Sequence, residues 1–480
     1  MDKDKAILDL LLKVESLTLR VSQLEAFEIE NKKLRIEYEQ LQVENTELKQ
    51  RLNSNSHNSS RPPSSDGYSK KPALPKEKRG KQGGQQDHKG RTLHQVEEPN
   101  IVLDCYPGTC GCGHEIAEGQ CSLLEKRQVF DLPKPRLIVT EHRIFGTTCA
   151  VCGQLVKGDA PEGVNAPVQY GRKAKTFAVL LNSHYKLPFK KVRALFDDMF
   201  GYAINESTIY SAARQSYEKL GPSEEIIKSK VIESDVANVD ESGIRISGKL
   251  AWLHTATTLL HTYLFVHQKR GMEALESDKS ILDKFRGWLV HDCWGSYFKF
   301  DQLKHALCCA HILRELEALI ENGQSKWAKS FKTFLMQVYL LPFEERVRRR
   351  QQIESRYKKI CEIGHKMEPA PTRTDGKRGR CKRTKGRNLV ERLQREQEAV
   401  LAFAFNKEVP FTNNLAERDI RPVKVKLKIS NCFRSFEGAE IYARIESFIS
   451  TARKQNRNVF DELCNTLEGQ NFLTAEIPAK

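Results

Sequence analysis

The chain has 480 residues, 29% of them charged, and a formal net charge of +16; that length exceeds what one hydrophobic core sustains and predicts about three or four domains. The excess Lys and Arg gather in a linker, a loop and one helix, which favours a surface that tracks phosphates, so nucleic acid is the natural anionic partner. No charged stub with an apolar core opens the sequence, the most apolar long stretch (250–267) is broken by His254, Thr255, Thr257, Thr258, His261 and Thr262, and the thirteen cysteines suit a reducing compartment, so a cytoplasmic chain without membrane spans or a disulfide framework is expected.

Residues 1–52 read as a coiled coil. Ile7, Val14 and Val21 occupy a positions with Leu10, Leu17 and Leu24 at d; Asn31, Tyr38, Asn45 and Leu52 then take a, with Leu34, Leu41 and Leu48 at d. The ten-residue step from Leu24 to Leu34 is a stammer that overwinds the coil locally. Asn at a selects register and low oligomer number, so a parallel homodimer is expected, the alternative being one amphipathic helix packed on its own chain.

Residues 53–98 lose all periodicity. Their Ser, Pro, Gly and Lys content cannot bury enough apolar area to offset ordering entropy, and a flexible basic tether is predicted. The run NSSRPPSSDG, followed by KRGKQGGQQDHKG, resembles the linker of the insertion-sequence-66 family of bacterial transposases, the large C-type subunit.

Cys149-Ala-Val-Cys152-Gly153 has knuckle spacing, two thiolates with a Gly for the tight turn. Its partners would come from Cys105, Cys110, Cys112 or His114, across a hairpin of VFDLP and PRLIVTEHRIF. The resemblance implies a zinc-ribbon-like module over 99–165. The family pattern has CxxC in both halves, whereas Thr109 stands here where its first cysteine is expected. The preferred Zn2+ set is Cys110, Cys112, Cys149 and Cys152, with Cys105 as substitute; unmetallated buried thiols are the alternative, and Cys121 reads as core.

Residues 168–225 read as helical: Pro188 suits a first turn, Gly201 a stop and Asn205 a cap. The pair KKVRALFDDMF and ESTIYSAARQSYEKL fits a helix-turn-helix, with Ser207, Thr208, Tyr210, Ser211 and Arg214 available to DNA, and fits an ordinary helical hairpin equally well. The resemblance favours DNA binding.

From 231 the pattern turns to strands: VIESDVANVDESGIRI, KLAWLHTATT and HTYLFVHQ, then a helical EALESDKSILDKF, a fourth strand GWLVHD, a fifth LKHALCCAH and a helix ILRELEALIEN. Three antiparallel strands, a helix and a parallel strand are the order of a ribonuclease H-like core, so the fold class expected is multidomain α/β, preceded by the coil, zinc and helical modules. In that core, the resemblance implies, Asp240 on the first strand, Asp292 after the fourth and Glu417 on a later helix are the catalytic acids. Converging carboxylates bind two Mg2+ (or Mn2+) ions about 4 Å apart and serve phosphodiester chemistry. The separation of 125 positions from Asp292 to Glu417 is too long for a compact core and predicts a helical insertion over 325–405, with the core in two parts, 231–324 and 406–470. Its basic loop, PTRTDGKRGRCKRTKGRN, is either solvated or a DNA clamp.

Cys308, Cys309, Ala310 and His311 resemble the family's CxAH element; either His311 and Arg314 reach the active site, or the cysteine and histidine bind metal or simply pack, and packing or support is preferred over catalysis. The segment from Asn414 to Asn458 resembles the family's C-terminal signature, with Glu417 toward the metal and Asn414, Arg418, Arg421 and Lys424 available to phosphates. Among neighbouring acids, Glu241 must point to the strand face opposite Asp240, while Asp235, Asp301 and Asp419 stand close enough in sequence to compete. The resemblance implies a DDE transposase that binds element ends, cuts at the 3′ ends and joins them to target DNA, with accessory proteins as candidate partners. A catalytically silent DNA-binding relic or repressor is the rival; a coiled-coil scaffold leaves the strand-rich half unexplained.

Overall fold

The computed structural model describes residues 2–55, 58–59, 93–370 and 383–475. Along the chain run α1 (Asp2–Leu52), β1 (Gly146–Thr148), β2 (Leu155–Lys157), α2 (Arg172–Ser183), α3 (Phe189–Phe200), α4 (Glu206–Lys219) and α5 (Gly221–Ile232). Then come β3 (Val236–Ile246), β4 (Lys249–Thr257), β5 (Thr262–His267), α6 (Met272–Leu275), β6 (Trp288–His291), β7 (Lys304–Leu307) and α7 (Cys309–Gly323). The remainder is helical: α8 (Lys326–Leu340), α9 (Phe343–Arg348), α10 (Arg350–Met367), α11 (Lys385–Arg395), α12 (Gln397–Phe405), α13 (Asn414–Ser430), α14 (Phe436–Lys454) and α15 (Val459–Glu468). The chain divides into two units, one of Met1–Lys71, Gly171–Pro188 and Ser207–Lys480, the other of Pro72–Tyr170 and Phe189–Glu206.

The first unit is built on a five-stranded sheet in the order β5-β4-β3-β6-β7. Strands β3, β4 and β5 form an antiparallel meander, because Ser247-Gly248 and Leu259-Leu260 turn tightly enough to join neighbours directly. Strands β6 and β7 run parallel to β3 and need the longer crossovers that the sequence supplies. Period-two alternation divides β3 between two cores. Ala237 and Val239 join Leu289, Phe285, Tyr297 and Phe448, while Ile244 and Ile246 pack with Ile420 and Val423 of α13. Helices α13 and α14 thereby lie against the meander, α13 on β3 and β4, α14 on β5.

Helices α8 to α12 carry a core of their own. Phe331 and Phe334 meet Tyr357 edge-on, and the Tyr357 hydroxyl donates to the Leu393 carbonyl at 2.7 Å. A Cβ on Gly364 would stand 2.7 Å from Val390 and 3.2 Å from Trp327, so only glycine lets α10 approach so closely. Helix α12, apolar from Ala399 to Phe405, sits on β7 and joins this group to the sheet. Helix α1 is continuous over the predicted coil, and its apolar positions are exposed, Leu24 at 67%. Most of the predicted tether and residues 371–382 of the basic loop lie outside the described residues.

In the second unit, β1 and β2 form a hairpin around Cys149–Gln154, and α3 buries Val192 and Phe196, the latter edge-on to Tyr170 and Phe200. Three local expectations are corrected. Residues 129–145, expected as strands, form none: Pro133 and Pro135 withhold ladder donors, and Val129, Leu132, Ile138 and Val139 stay exposed without a sheet to cover them. The helix expected over EALESDKSILDKF is only the four residues of α6. The fifth strand stops at Leu307, so Cys308 caps α7 and Cys309 to His311 form its first turn.

Candidate functional site

Parallel pairing of β3 with β6 matches Asn238 to Val290; carried two residues further, it sets Asp240 level with Asp292, on adjacent strands about 4.8 Å apart. Asp292 follows the last strand residue and accepts the Trp294 backbone N–H at 3.1 Å. Cys293 between them has φ 74°, a left-handed conformation rare for a side chain with a Cβ.

Glu417 comes from the first turn of α13, and one buried asparagine fixes that turn to the sheet. Asn413, 1% exposed, donates its side-chain N–H to the Val239 carbonyl at 2.8 Å and accepts from the Asn238 amide at 2.8 Å. Its backbone N–H donates to Cys308 Sγ at 3.1 Å. The helix start is thus tied to β3 beside Asp240 and to the cap of α7.

Burial pushes Asp240 up to about 8, helped by the negative charges of Glu241, Asp292 and Glu417, and opposed by the Glu241 N–H that its Oδ1 accepts at 2.9 Å. Like charges crowded in a partly buried place leave the site short of positive charge. Glu241 turns to the other strand face, where Arg270 Nε (2.8 Å) and the Tyr297 hydroxyl (2.8 Å) hold its carboxylate. The Arg270 guanidinium lies over the rings of Trp294 (4.4 Å) and Trp252 (5.1 Å). Asp419 is occupied by Lys454 (2.6 Å), Thr257 (2.7 Å) and Thr262 (3.0 Å), and Asp235 and Asp301 are exposed.

His311 Nδ1 lies 3.9 Å from Glu417 Oε1; both atoms are buried and without a hydrogen bond. Burial, with the charge of Arg314, lowers the His311 pKa against the pull of Glu417 and Asp292. The ligand atoms of Cys308, His311 and Glu417 all lie within 4.8 Å of one another. Among the described residues this is the one such group of three or more, so the four preferred zinc cysteines are not gathered into one cluster. They stand as two pairs, each on a tight turn. Cys110 accepts from Gly113 N–H (2.8 Å; Gly113 φ 90°) and Cys149 from Gly153 N–H (2.9 Å; Gly153 φ 68°), in each case at the backbone carbonyl. The Cys112 backbone N–H and thiol lower the Cys110 pKa; the Cys152 and Val151 N–H groups and the Cys152 thiol lower that of Cys149. Cys105 is exposed, and Cys121 is half-buried rather than core.

On α4, Ser207 and Ser211 are exposed and Thr208 half-buried. Tyr210 donates to Glu437 at 3.0 Å, and Arg214 pairs with Glu218 on its own helix (3.3 Å) and with Glu437 (3.4 Å); the two contacts to Glu437, 227 and 223 residues along the chain, were beyond sequence reasoning. On α13, Asn414, Arg418, Arg421 and Lys424 are exposed, with Arg421 3.6 Å from Glu417 Oε2. The helix continues through Pro422 to Ser430. Asn413 and the Cys293 conformation were missed by sequence reasoning. A lone buried Asn carries no periodic signal, although its place in TNNLAERDIRP beside Glu417 was visible.

A family model described as "Transposase IS66 family" matches residues 168–441, more than half of the chain. A second, "Family of unknown function (DUF6444)", matches residues 14–94. Among the curated proteins compared, none matches. No helix among the described residues is long and apolar enough to cross a membrane.

Proposed function

The chain belongs to the IS66 transposase family, and from that premise we propose that it cuts DNA at the 3′ ends of an insertion sequence and joins them to target DNA, through Asp240, Asp292 and Glu417. The observation that carries this reading is the meeting of three acids from separate elements, with Asp240 held up to about 8 by burial and by its acidic neighbours. The sheet order β5-β4-β3-β6-β7, with acids after β6 and on a helix packed over β3, is consistent with a ribonuclease H-like core. An all-oxygen donor set with surplus negative charge fits Mg2+ or Mn2+; Asp240 and Asp292 would share one ion and Glu417 would complete the second. Bound there, such ions supply Lewis-acid activation of an attacking oxygen and stabilisation of the leaving one.

The chain's own residues supply the rest. Asn413 holds Glu417 at the sheet, so its carboxylate is in place before substrate arrives. Arg418, Arg421 and Lys424, exposed on the same helix, are the candidate phosphate grips beside the acids. The Cys110/Cys112 and Cys149/Cys152 turns are two half-sites for one Zn2+ ion, closing on each other when it binds. Helix α1 would pair with a second copy and hold two DNA ends near one another, and α4 would contribute further DNA contacts through Ser207, Thr208, Tyr210 and Arg214.

The test is cleavage of DNA carrying the element's ends by the full chain with Mg2+. Asp240→Asn, Asp292→Asn and Glu417→Gln should each reduce it by at least about 100-fold and leave end binding intact. Near wild-type cleavage in any one variant removes that residue from the site.

A further inference from the structure

Beside the acids lies a donor set of a different chemical character. Cys308 Sγ, His311 Nδ1 and Glu417 Oε1 lie within 4.8 Å of one another, and His311 Nδ1 and Glu417 Oε1 are buried, 3.9 Å apart, with no hydrogen bond between them or to anything else. Two adjacent orphaned polar atoms are costly unless a group absent from the polypeptide satisfies both. We infer that Cys308, His311 and Glu417 form a binding site for a single zinc-class ion, which withdraws Glu417 from the magnesium site when it binds.

The donor types separate this site from the acid cluster. Sulfur and imidazole select a borderline or soft cation, whereas Mg2+ and Ca2+ take oxygen. Zinc bound at about 2.0–2.3 Å to each ligand sets neighbouring donors roughly 3.3–3.8 Å apart, so the His311–Glu417 pair at 3.9 Å is nearly in place, and Cys308 Sγ, within 4.8 Å of both, needs to close by about 1 Å. Burial raises the Cys308 thiol above its usual range, and backbone donors, that of Asn413 first, oppose that shift. The Asn413 backbone N–H points at Cys308 Sγ from 3.1 Å, a contact that strengthens when the thiol gives its proton to solvent and binds metal as thiolate. Cys308 caps α7 and His311 lies three residues on, in its first turn, so both ligands come from one rigid helix start. Three protein ligands leave a further coordination position open.

Glu417 belongs to both sites. Zinc and the magnesium pair therefore compete for one carboxylate, and zinc should inhibit at concentrations far below those of magnesium. That inhibitory consequence rests on the function proposed above; zinc binding itself does not.

The experiment uses the full chain, stripped by chelator and re-equilibrated with buffered Zn2+, then with Co2+. Wild type should hold about one more zinc per chain than Cys308→Ser or His311→Gln, and Co2+ should give a thiolate-to-metal absorption that Cys308→Ser reduces. Glu417→Gln should weaken this zinc by more than the roughly 10–100-fold that loss of an outer-shell partner costs. Equal zinc content and equal cobalt spectra in wild type and all three variants would overturn the inference and leave a bridging water as the partner of the two orphaned atoms. Melting curves of the stripped variants identify any that fail to fold, and the Glu417→Gln affinity then decides. Added Zn2+ should inhibit Mg2+-supported cleavage. If wild type does not cleave with Mg2+ at all, the proposed function fails while the zinc counts still stand.

Discussion

Without divalent metal, the sheet unit should lose stability as pH rises, and Asp240→Asn should remove that loss. In the fold Asp240 is raised from 3.8 to about 8, first by burial and then by Glu241 and Asp292. The folded state therefore keeps a proton that the unfolded chain releases. An acid raised in this way favours folding fully below about pH 4 and loses that contribution as pH climbs through about 8. Each pH unit in that window is worth about 1.4 kcal/mol. Between about pH 5 and pH 9 the gap between variant and wild type should widen by up to about 4 kcal/mol, an upper limit that water entry and local relaxation reduce. Asparagine keeps the Oδ1 acceptor for the Glu241 N–H and cannot ionise, and groups away from the site titrate alike in both proteins and cancel. The assay is urea unfolding of both in EDTA. With a slope of roughly 3 kcal/mol per molar urea, the midpoints should draw apart by up to about 1.3 M. Magnesium at about 100 times its dissociation constant should return about 2.7 kcal/mol to wild type and much less to the variant. Midpoints that track each other across the pH range would show that burial and neighbouring acids do not hold Asp240 protonated in the fold.

Three further outcomes follow from named contacts. Purified reduced protein should carry zinc in the 99–165 module, and Cys149→Ser should release about one ion per chain and expose that module to protease, as metal analysis and limited proteolysis will register. Asn413→Ala orphans the Asn238 amide and the Val239 carbonyl, at about 1–3 kcal/mol for each buried group. Urea midpoints should fall accordingly, and cleavage should drop more than end binding, because Glu417 loses its anchor. Deleting residues 1–52 should weaken pairing of two element ends far more than binding of one, since effective concentration and not contact is lost; unchanged paired-end assembly in gel shifts would put dimerisation elsewhere.

What was legible in the sequence was whatever repeats. Alternation marked β3, β4 and β5, and short apolar runs marked β6 and β7, which put Asp240 and Asp292 on their elements and Glu241 on the opposite face. The long separation of Asp292 from Glu417 pointed to an inserted helical segment, where the chain forms α8 to α12. Side chains whose partners are far along the chain were not legible. Nothing near Tyr210 or Arg214 announces Glu437, nothing in NNLAE announces that Asn413 reaches Val239, and Asp419 shows itself as structural only when Lys454 and Thr257 are beside it. The strands expected over 129–145 failed for the converse reason: their residues have strand character, but Pro133 and Pro135 interrupt the ladder and no second sheet buries them.

The central claim is that these carboxylates act by holding metal, and a change of metal preference tests it most directly. In Asp292→Cys a sulfur replaces one oxygen donor, which Mg2+ tolerates poorly and the softer Mn2+ accepts more readily. Cleavage of DNA carrying the element's ends should fall by at least about 100-fold with Mg2+ and recover in substantial part with Mn2+, while Asp292→Ala stays inactive with both. Equal loss with both metals in Asp292→Cys, or retention of Mg2+-supported cleavage, would contradict the account.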